Sequence, residues 1–347
     1  MTTKTITIRQ LKISPPLFLA PMAGVTHSAL RAILVSFGGV GLLSTEMLSA
    51  RRLPAENPAI SPYLITTYRE RPLSYQLFVT SANDVEKSID ILHRFGADAV
   101  DLNLGCPAPS IRQAGGGSSL MNNTRTVQEI VQAARKRTQL PLTAKIRLGQ
   151  ELDKKVLKNF CKMLEGEGID LLTVHGRLNS EHFCRPARWE WIGCVKEWLS
   201  IPVVANGSVF SAADARSCLQ ISGADGLMIG RAAPQQPWIF ADIAREVYGA
   251  DLPQMKFTLP EIFMCMVHEL ATRFRIERRL GRLKEFTHYF ARNYPYGHHL
   301  ASTVQASSSL TEAVQGALEF FGRNDVNGIK AVLDQHGDES WFNELVG

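Results

Sequence analysis

The sequence predicts an α/β fold: a (β/α)8 TIM barrel followed by a small C-terminal all-helical domain. Three observations predict it. Eight short apolar runs alternate with helical patterns as far as Phe240, the signature of repeated βα units on a parallel sheet. A polar residue, glycine or proline stands at or just past the end of every run, the place where such barrels gather their chemistry. Beyond Phe240 the alternation stops and only helical periodicity follows.

In chain order the strand-like runs are Leu17–Pro21, Val40–Glu46, Leu73–Val79, Ala97–Leu104, Leu142–Arg147, Leu171–His175, Pro202–Asn206 and Gly226–Gly230. They read as nearly continuous in apolar character, as strands covered on both faces should. Helical patterns fall between them at Ser28–Phe37, Ala82–Phe95, Thr124–Thr138, Lys154–Glu165, Trp189–Trp198 and Ser211–Gln220. An open doubly wound sheet is the alternative, but eight parallel strands in this length fit closure better. Residues 1–247 are assigned to the barrel. The stretch 248–260, rich in Gly, Asp and Pro, reads as a linker. Residues 261–347 read as a helical bundle interrupted at Pro295–Gly297 and Ser307–Ser309.

Composition sets limits on function. The chain has 347 residues, 45% hydrophobic and 20% charged, enough for a large core and against disorder. The net charge of +5 permits a nucleic-acid partner without demanding one. The first ten residues carry Lys4 and Arg9 but no signal-like apolar run, and no segment is long enough to span a bilayer, so a cytoplasmic protein off the membrane is expected. The six cysteines form no C-x-x-C pair, so neither a metal site nor a disulfide framework is expected.

The strand ends carry Pro21-Met22-Ala23, Glu46, Gln76, Asn103 with Cys106, Lys145 with Arg147, His175 with Arg177, Asn206-Gly207 and Gly230-Arg231. A single His or Lys in such a place is more often structural; a full set around eight strands is not chance. The last two turns, Asn206-Gly207-Ser208 and Gly230-Arg231-Ala232, suit a phosphate: glycine lets backbone N–H groups approach and arginine pairs with the oxygens. Plain tight turns are the simpler reading. Gly115-Gly116-Gly117 reads as a flexible lid near Cys106, or as a simple connection; the G-x-G-x-x-G spacing is absent. Between Arg273 and Arg292 stand seven basic residues against two acidic ones, either a solvated face or a phosphate-contacting one. Tyr289, Tyr294 and Tyr296, interleaved with Arg292, His298 and His299, are candidates for RNA stacking or for interhelix packing.

With these residues in place the chain resembles the tRNA-dihydrouridine synthases. The resemblance rests on LAPMAGVTHSALR (19–31), STEMLSA (44–50), QLF (76–78), DLNLGCPAP (101–109), AKIRLG (144–149), TVHGR (173–177), VVANGSV (203–209) and ADGLMIGRAAPQQPWIF (224–240), in the family's order across the whole barrel. It implies bound FMN, NADPH as reductant, and an RNA substrate, tRNA first. Carried over, Pro21, Met22, Ala23, Gln76, Lys145 and His175 would contact the flavin ring, and Asn206, Gly207, Ser208, Gly230 and Arg231 its ribityl chain and phosphate. Cys106 matches the catalytic cysteine, its thiol protonating C5 of uracil while C6 receives hydride. A thiolate nucleophile would need a nearby cation, which neither Gly105 nor Pro107 supplies. Asn103 would hydrogen-bond the uracil edge and Arg177 would touch substrate. Arg278, Arg279, Arg282 and Lys284 would bind RNA, and the protein would act as a monomer.

Three segments depart from the family pattern. After Arg177 the usual Thr-Arg-x-Gln run is replaced by Leu178-Asn179-Ser180-Glu181 and onward to Arg188, with only Trp189 retained. Ser208 stands where Asp is common, and the Arg-Lys-His helix is represented by Arg282-Leu283-Lys284 with His288. Ribosomal RNA therefore stays open as substrate. The rivals are an FMN barrel acting on a free pyrimidine such as dihydroorotate, and an RNA-binding protein on a barrel that has lost its chemistry.

Overall fold

The computed structural model describes residues 4–336; the end of the expected helical stretch, 337–347, lies outside the described residues. A hairpin opens the chain, β1 (Ile6–Ile8) paired antiparallel with β2 (Leu11–Ile13). The sequence reading did not anticipate it. Its Ile6, Ile8 and Ile13 pack on Phe18, Leu42, Leu171, Val204 and Met228, plugging the N-terminal end of the barrel.

The barrel strands are β3 (Leu17–Leu19), β4 (Leu43–Ser49), β5 (Leu73–Phe78), β6 (Ala99–Asn103), β7 (Leu142–Arg147), β8 (Leu171–His175), β9 (Val203–Asn206) and β10 (Gly226–Ile229). All eight are parallel, in the order β3-β10-β9-β8-β7-β6-β5-β4, and a bridge from Phe18 to Leu42 closes the ring. The TIM barrel therefore stands as the sequence predicts. Residues of period two divide the strands. Tyr75, Leu77, Val100, Leu102, Ala144, Ile146, Leu172 and Val174 face the helices in the main core. The alternate positions Gln76, Asp101, Asn103, Thr143, Lys145, Thr173 and His175 are polar. The strands are thus less uniformly apolar than expected: the upper interior of the barrel is a polar site.

The helices are α1 (Ser28–Phe37), α2 (Ala82–Arg94), α3 (Pro109–Gln113), α4 (Thr124–Arg137), α5 (Lys154–Gly166), α6 (Trp189–Trp198), α7 (Ala212–Ser222), α8 (Ala232–Gln235) and α9 (Ile239–Tyr248). Their starts are fixed locally: Asn123 caps α4 at Thr126 N, Asp153 caps α5 at Lys155 N and Val156 N, and Ser211 caps α7 at Asp214 N. No α-helix joins β4 to β5. The segment carries Pro54, Pro58, Pro62 and Pro72 and forms a single 3-10 turn at Leu53–Ala55.

After Tyr248 no regular element occurs until α10 (Leu259–Arg273), which begins with a Thr258–Glu261 capping box. Then follow α11 (Arg279–Phe290), α12 (Gly297–Ala306), α13 (Leu310–Asn324) and α14 (Val326–His336). Phe263, Phe290, Tyr294, Phe320 and Phe321 pack together at their centre. Tyr294 is thereby a core residue, while Tyr296 is exposed. A buried ion network ties helices to barrel: Glu70 accepts from Arg31 Nε at 2.7 Å and Ser28 Oγ at 2.6 Å, and Arg273 of α10 reaches both Glu70 (3.3 Å) and Ser28 (3.0 Å).

Candidate active site at the barrel mouth

A cavity of about 180 Å³, open on one side, lies at the C-terminal ends of the strands. Pro21, Met22, Gln76, Asn103, Cys106, Lys145, His175, Arg177, Asn206, Gly207, Ser208, Gly230 and Arg231 all line it. Residues spread over more than two hundred positions of sequence converge because the barrel sets each strand end beside the next. Ala23 faces a neighbouring cavity instead, together with Arg278 and Arg282. Arg279 and Lys284 line neither.

One buried chain of hydrogen bonds positions the thiol. Asp101 accepts from Thr143 Oγ1 (2.5 Å) and Gln76 Nε2 (2.6 Å), which orients the Gln76 amide. Gln76 Oε1 then accepts from Asn103 Nδ2 at 2.7 Å, leaving Asn103 Oδ1 to accept from Gly105 N (3.3 Å) and Cys106 N (3.0 Å). Asn103, expected on the uracil edge, is therefore committed to holding the Cys106 turn. From the other side Ser118 N donates to Cys106 O at 2.9 Å. The triple glycine contributes to that packing. A Cβ on Gly117 would stand 2.5 Å from Cys106 O, and one on Gly116 would stand 2.0 Å from Phe78 Cε2. Close approach, beyond mere looseness, explains two of the three glycines.

The divergent 178–188 segment is organised by arginines. Arg177, 1% exposed, donates to Arg185 O (2.6 Å), Phe183 O (3.2 Å), Ser208 Oγ (2.9 Å) and His175 Nε2 (2.8 Å). The expected substrate contact is thus a clamp whose guanidinium is spent on the loop. Arg147 Nη1 donates to Leu178 O (2.8 Å) and Glu181 O (3.0 Å), and Glu181 forms a bidentate pair with Arg188 at 2.6 Å for both bonds. The product of this scaffold is the placement of Phe183. It stacks on His175 (6.0 Å between centroids), with the Arg231 guanidinium 4.7 Å from its ring. Ser208 Oγ accepts from Arg177 and from Ala187 N (3.0 Å), which leaves its proton free to donate.

The electrostatics are one-sided. Lys145, Arg147, Arg177 and Arg231 line the cavity, and among the described residues no Asp or Glu does. Burial, then the Arg147 charge, pushes Lys145 down to about 8, with Asp101 opposing. Burial and the surrounding Lys145, Arg147, Arg177 and Arg231 hold His175 well below the usual histidine range, so the ring is neutral. Receipt of the Arg177 bond at Nε2 places its proton on Nδ1. Burial also raises Asp101. The sequence neighbours of Cys106 supply no cation, but the next strand does, through Lys145 and Arg147.

Sequence reasoning passed over Asp101, whose inward direction follows from period two, and left Arg147 and Glu46 without a role. Phe183 and Phe210 carry no signal in the sequence; Phe183 enters only through the fold of the divergent segment.

Comparison with known proteins follows from this geometry. The model of the dihydrouridine synthase (Dus) family matches residues 18–321. The chain is 34% identical over 267 residues to tRNA-dihydrouridine synthase B of Pseudomonas putida, covering 77% of this chain and 78% of that one. It is 35% identical over 241 residues to tRNA-dihydrouridine synthase B of Pseudomonas syringae pv. tomato, covering 69% and 71%. Among solved structures, histamine dehydrogenase from Rhizobium sp. 4-9 superposes with a TM-score of 0.54 at 13% identity. It covers 78% of this chain, which in turn spans 51% of the solved one, a likeness of fold.

Proposed function

The chain belongs to the dihydrouridine synthase family, and from that premise we propose that it reduces the C5–C6 double bond of a specific uridine in RNA, tRNA first, to 5,6-dihydrouridine. The observation that carries the reading is the charge of the mouth cavity: four cations and no described carboxylate. Such a donor set suits a permanently bound anion, and FMN fits it. Gly230 adds a second sign. A Cβ there would make only ordinary contacts, 3.5 Å from Ala20 Cβ and Met22 Sδ, so packing does not demand glycine, and its absence of a side chain would leave backbone open to a phosphate.

Such a flavin would supply the hydride chemistry for C6 of the uracil, with NADPH as its reductant. Arg231, Gly230, Gly207 and Ser208 would hold the phosphate end. Lys145 would stabilise negative charge at the pyrimidine end of the ring, with Gln76, His175, Pro21 and Met22 against the ring itself. Cys106 holds a proton at Sγ for C5, and Asn103 keeps the Cys106 turn in place. Arg278, Arg282 and Lys284 offer charge to RNA; Arg279 caps α10 through Phe274 O (2.8 Å) and Ala271 O (2.9 Å) instead. In this reading residues 1–247 are catalytic, 248–260 link, and the helices from 261 bind RNA. The protein works as a cytoplasmic monomer, and no helix of the described residues is long and apolar enough to cross a membrane.

The test is mass mapping of RNA treated with the FMN-loaded protein and NADPH. Wild type adds two hydrogens to a defined uridine. Cys106→Ala keeps its flavin and loses roughly 10²- to 10⁴-fold in turnover. Turnover near wild type in that variant removes Cys106 from the reaction, and reduction of free orotate or uracil in place of RNA removes the RNA reading.

A further inference from the structure

Gln76, Asp101 and Thr143 stand in one row across β5, β6 and β7, with Gln76 in register with Asp101 and Asp101 with Thr143. Asn103 follows on the same face of β6. All four side chains are buried. A side-chain amide has a donor end and an acceptor end, so a chain of amides has a direction. Here both ends of the chain are fixed by groups that cannot exchange roles. At the thiol end stand the backbone N–H groups of Gly105 and Cys106, which only donate. At the other end stands the Asp101 carboxyl. Burial raises it, with Thr143, Gln76 and Lys145 opposing. A proton there would go to the oxygen facing the Thr143 hydroxyl, which can accept it, so the oxygen facing Gln76 accepts in either state.

The two amides between these ends satisfy both. Asn103 turns Oδ1 to the backbone donors, so its Nδ2 points away, to Gln76 Oε1 at 2.7 Å and Met47 Sδ at 3.2 Å. Gln76 must then turn Nε2 to Asp101 Oδ2, at 2.6 Å. Thr143 Oγ1 fills Asp101 Oδ1 at 2.5 Å. Gln76, Asp101, Asn103 and Thr143 leave no buried polar atom unpaired. Turning Asn103 over would set donor against donor at the Cys106 turn. Turning Gln76 over would set acceptor against acceptor at Asp101. Each reversal leaves buried groups unmet, which costs far more than a single bond gains.

We propose that Asp101 is a positioning residue for the reaction: it sets the direction of the amide chain, and through that direction it holds the Cys106 turn on Asn103 Oδ1. For its effect on turnover the inference rests on the dihydrouridine reading. Asp101 does not line the mouth cavity. It acts through Gln76 and Asn103 and touches no substrate. Without an acceptor at position 101, Gln76 is free to turn over, and Asn103 is then drawn between Gln76 and the backbone of the turn. The sulfur shifts with that backbone, and a misplacement of about 1 Å at a reacting group can cost ~10²-fold in rate.

Hydrogen exchange at the Gly105 and Cys106 amides reads the turn without flavin or RNA. Asp101→Leu removes the acceptor and should speed that exchange roughly tenfold, with the amides of α13 at their wild-type rates. On RNA, kcat should fall roughly ten- to a hundredfold with KM unchanged. Asp101→Asn should rescue both readouts, because its amide oxygen can face Gln76 while its nitrogen donates to the Thr143 hydroxyl. Wild-type exchange in folded Asp101→Leu, or Asp101→Asn behaving like Asp101→Leu, overturns the proposal. If Asp101→Leu does not fold, a reversed chain decides. Asn103→Asp sets a carboxylate at both ends of Gln76, and adding Asp101→Asn supplies a donor that lets the whole chain run backwards. The double variant should recover the protection that Asn103→Asp loses; equal exchange in the two also overturns the proposal. If exchange responds as expected and wild type reduces no uridine in any RNA, the direction of the chain stands and the dihydrouridine reading fails instead.

Discussion

The two cavities share a wall and differ in charge. The mouth cavity gathers Lys145, Arg147, Arg177 and Arg231 without a described carboxylate, and most of its polar groups are already bonded to one another. The cleft beside it mixes Arg52, Arg278 and Arg282 with Glu46, Glu56, Glu277 and Glu285 and leaves two buried atoms unpaired. A uniform cationic nest favours one resident anion and holds it. A wall of both signs has no comparable preference for a single anion.

The largest expected effect would break the comparison at the mouth. Replacing both Lys145 and Arg231 by alanine should raise the FMN dissociation constant by roughly 10²- to 10⁴-fold, at ~1.5–3 kcal/mol per charged contact. Absorbance of the purified variant reads this directly, and a double variant that stays fully yellow ends the cofactor assignment. A smaller effect lies in pH. Lys145 is charged below about 8 in the free protein, and an anion favours its charged form. FMN affinity should therefore be flat below that value and weaken as pH rises through it, up to about tenfold per pH unit. The weaker-binding Lys145→Met variant should show no such slope; an unchanged profile would remove Lys145 from the ring. The smallest effect sharpens the contrast along α11. Arg278→Glu should reduce the slope of log affinity against log salt by about one unit on RNA. Arg279→Glu should leave the slope alone and lower the melting temperature, since Arg279 bonds the last turn of α10. Identical slopes in wild type and Arg278→Glu would return Arg278 to a solvated face.

How far the sequence could be read follows the same division. The eight strands and their polar ends were legible because period and position determine them. Cys106, Lys145, His175 and Arg231 meet where the strand ends lead. What the sequence conceals is which donors are already spent. Asn103, Arg177 and Arg279 all look like ligand-binding groups, yet each is bonded to backbone across a turn or helix end. Phe183 was invisible because its position depends on arginines outside its own segment. The hairpin at Ile6–Ile13 was missed because three-residue strands carry too little pattern to register.

The Arg31–Glu70–Arg273 network has a consequence for how the helices stay joined to the barrel. Glu70 is fully buried and bonded from both α1 and α10, so a single carboxylate fastens the first helix of the barrel to the first helix beyond it. Glu70→Gln should therefore loosen both elements at once, and substitutions on the exposed face of α11, which take no part in this network, should leave that fastening intact.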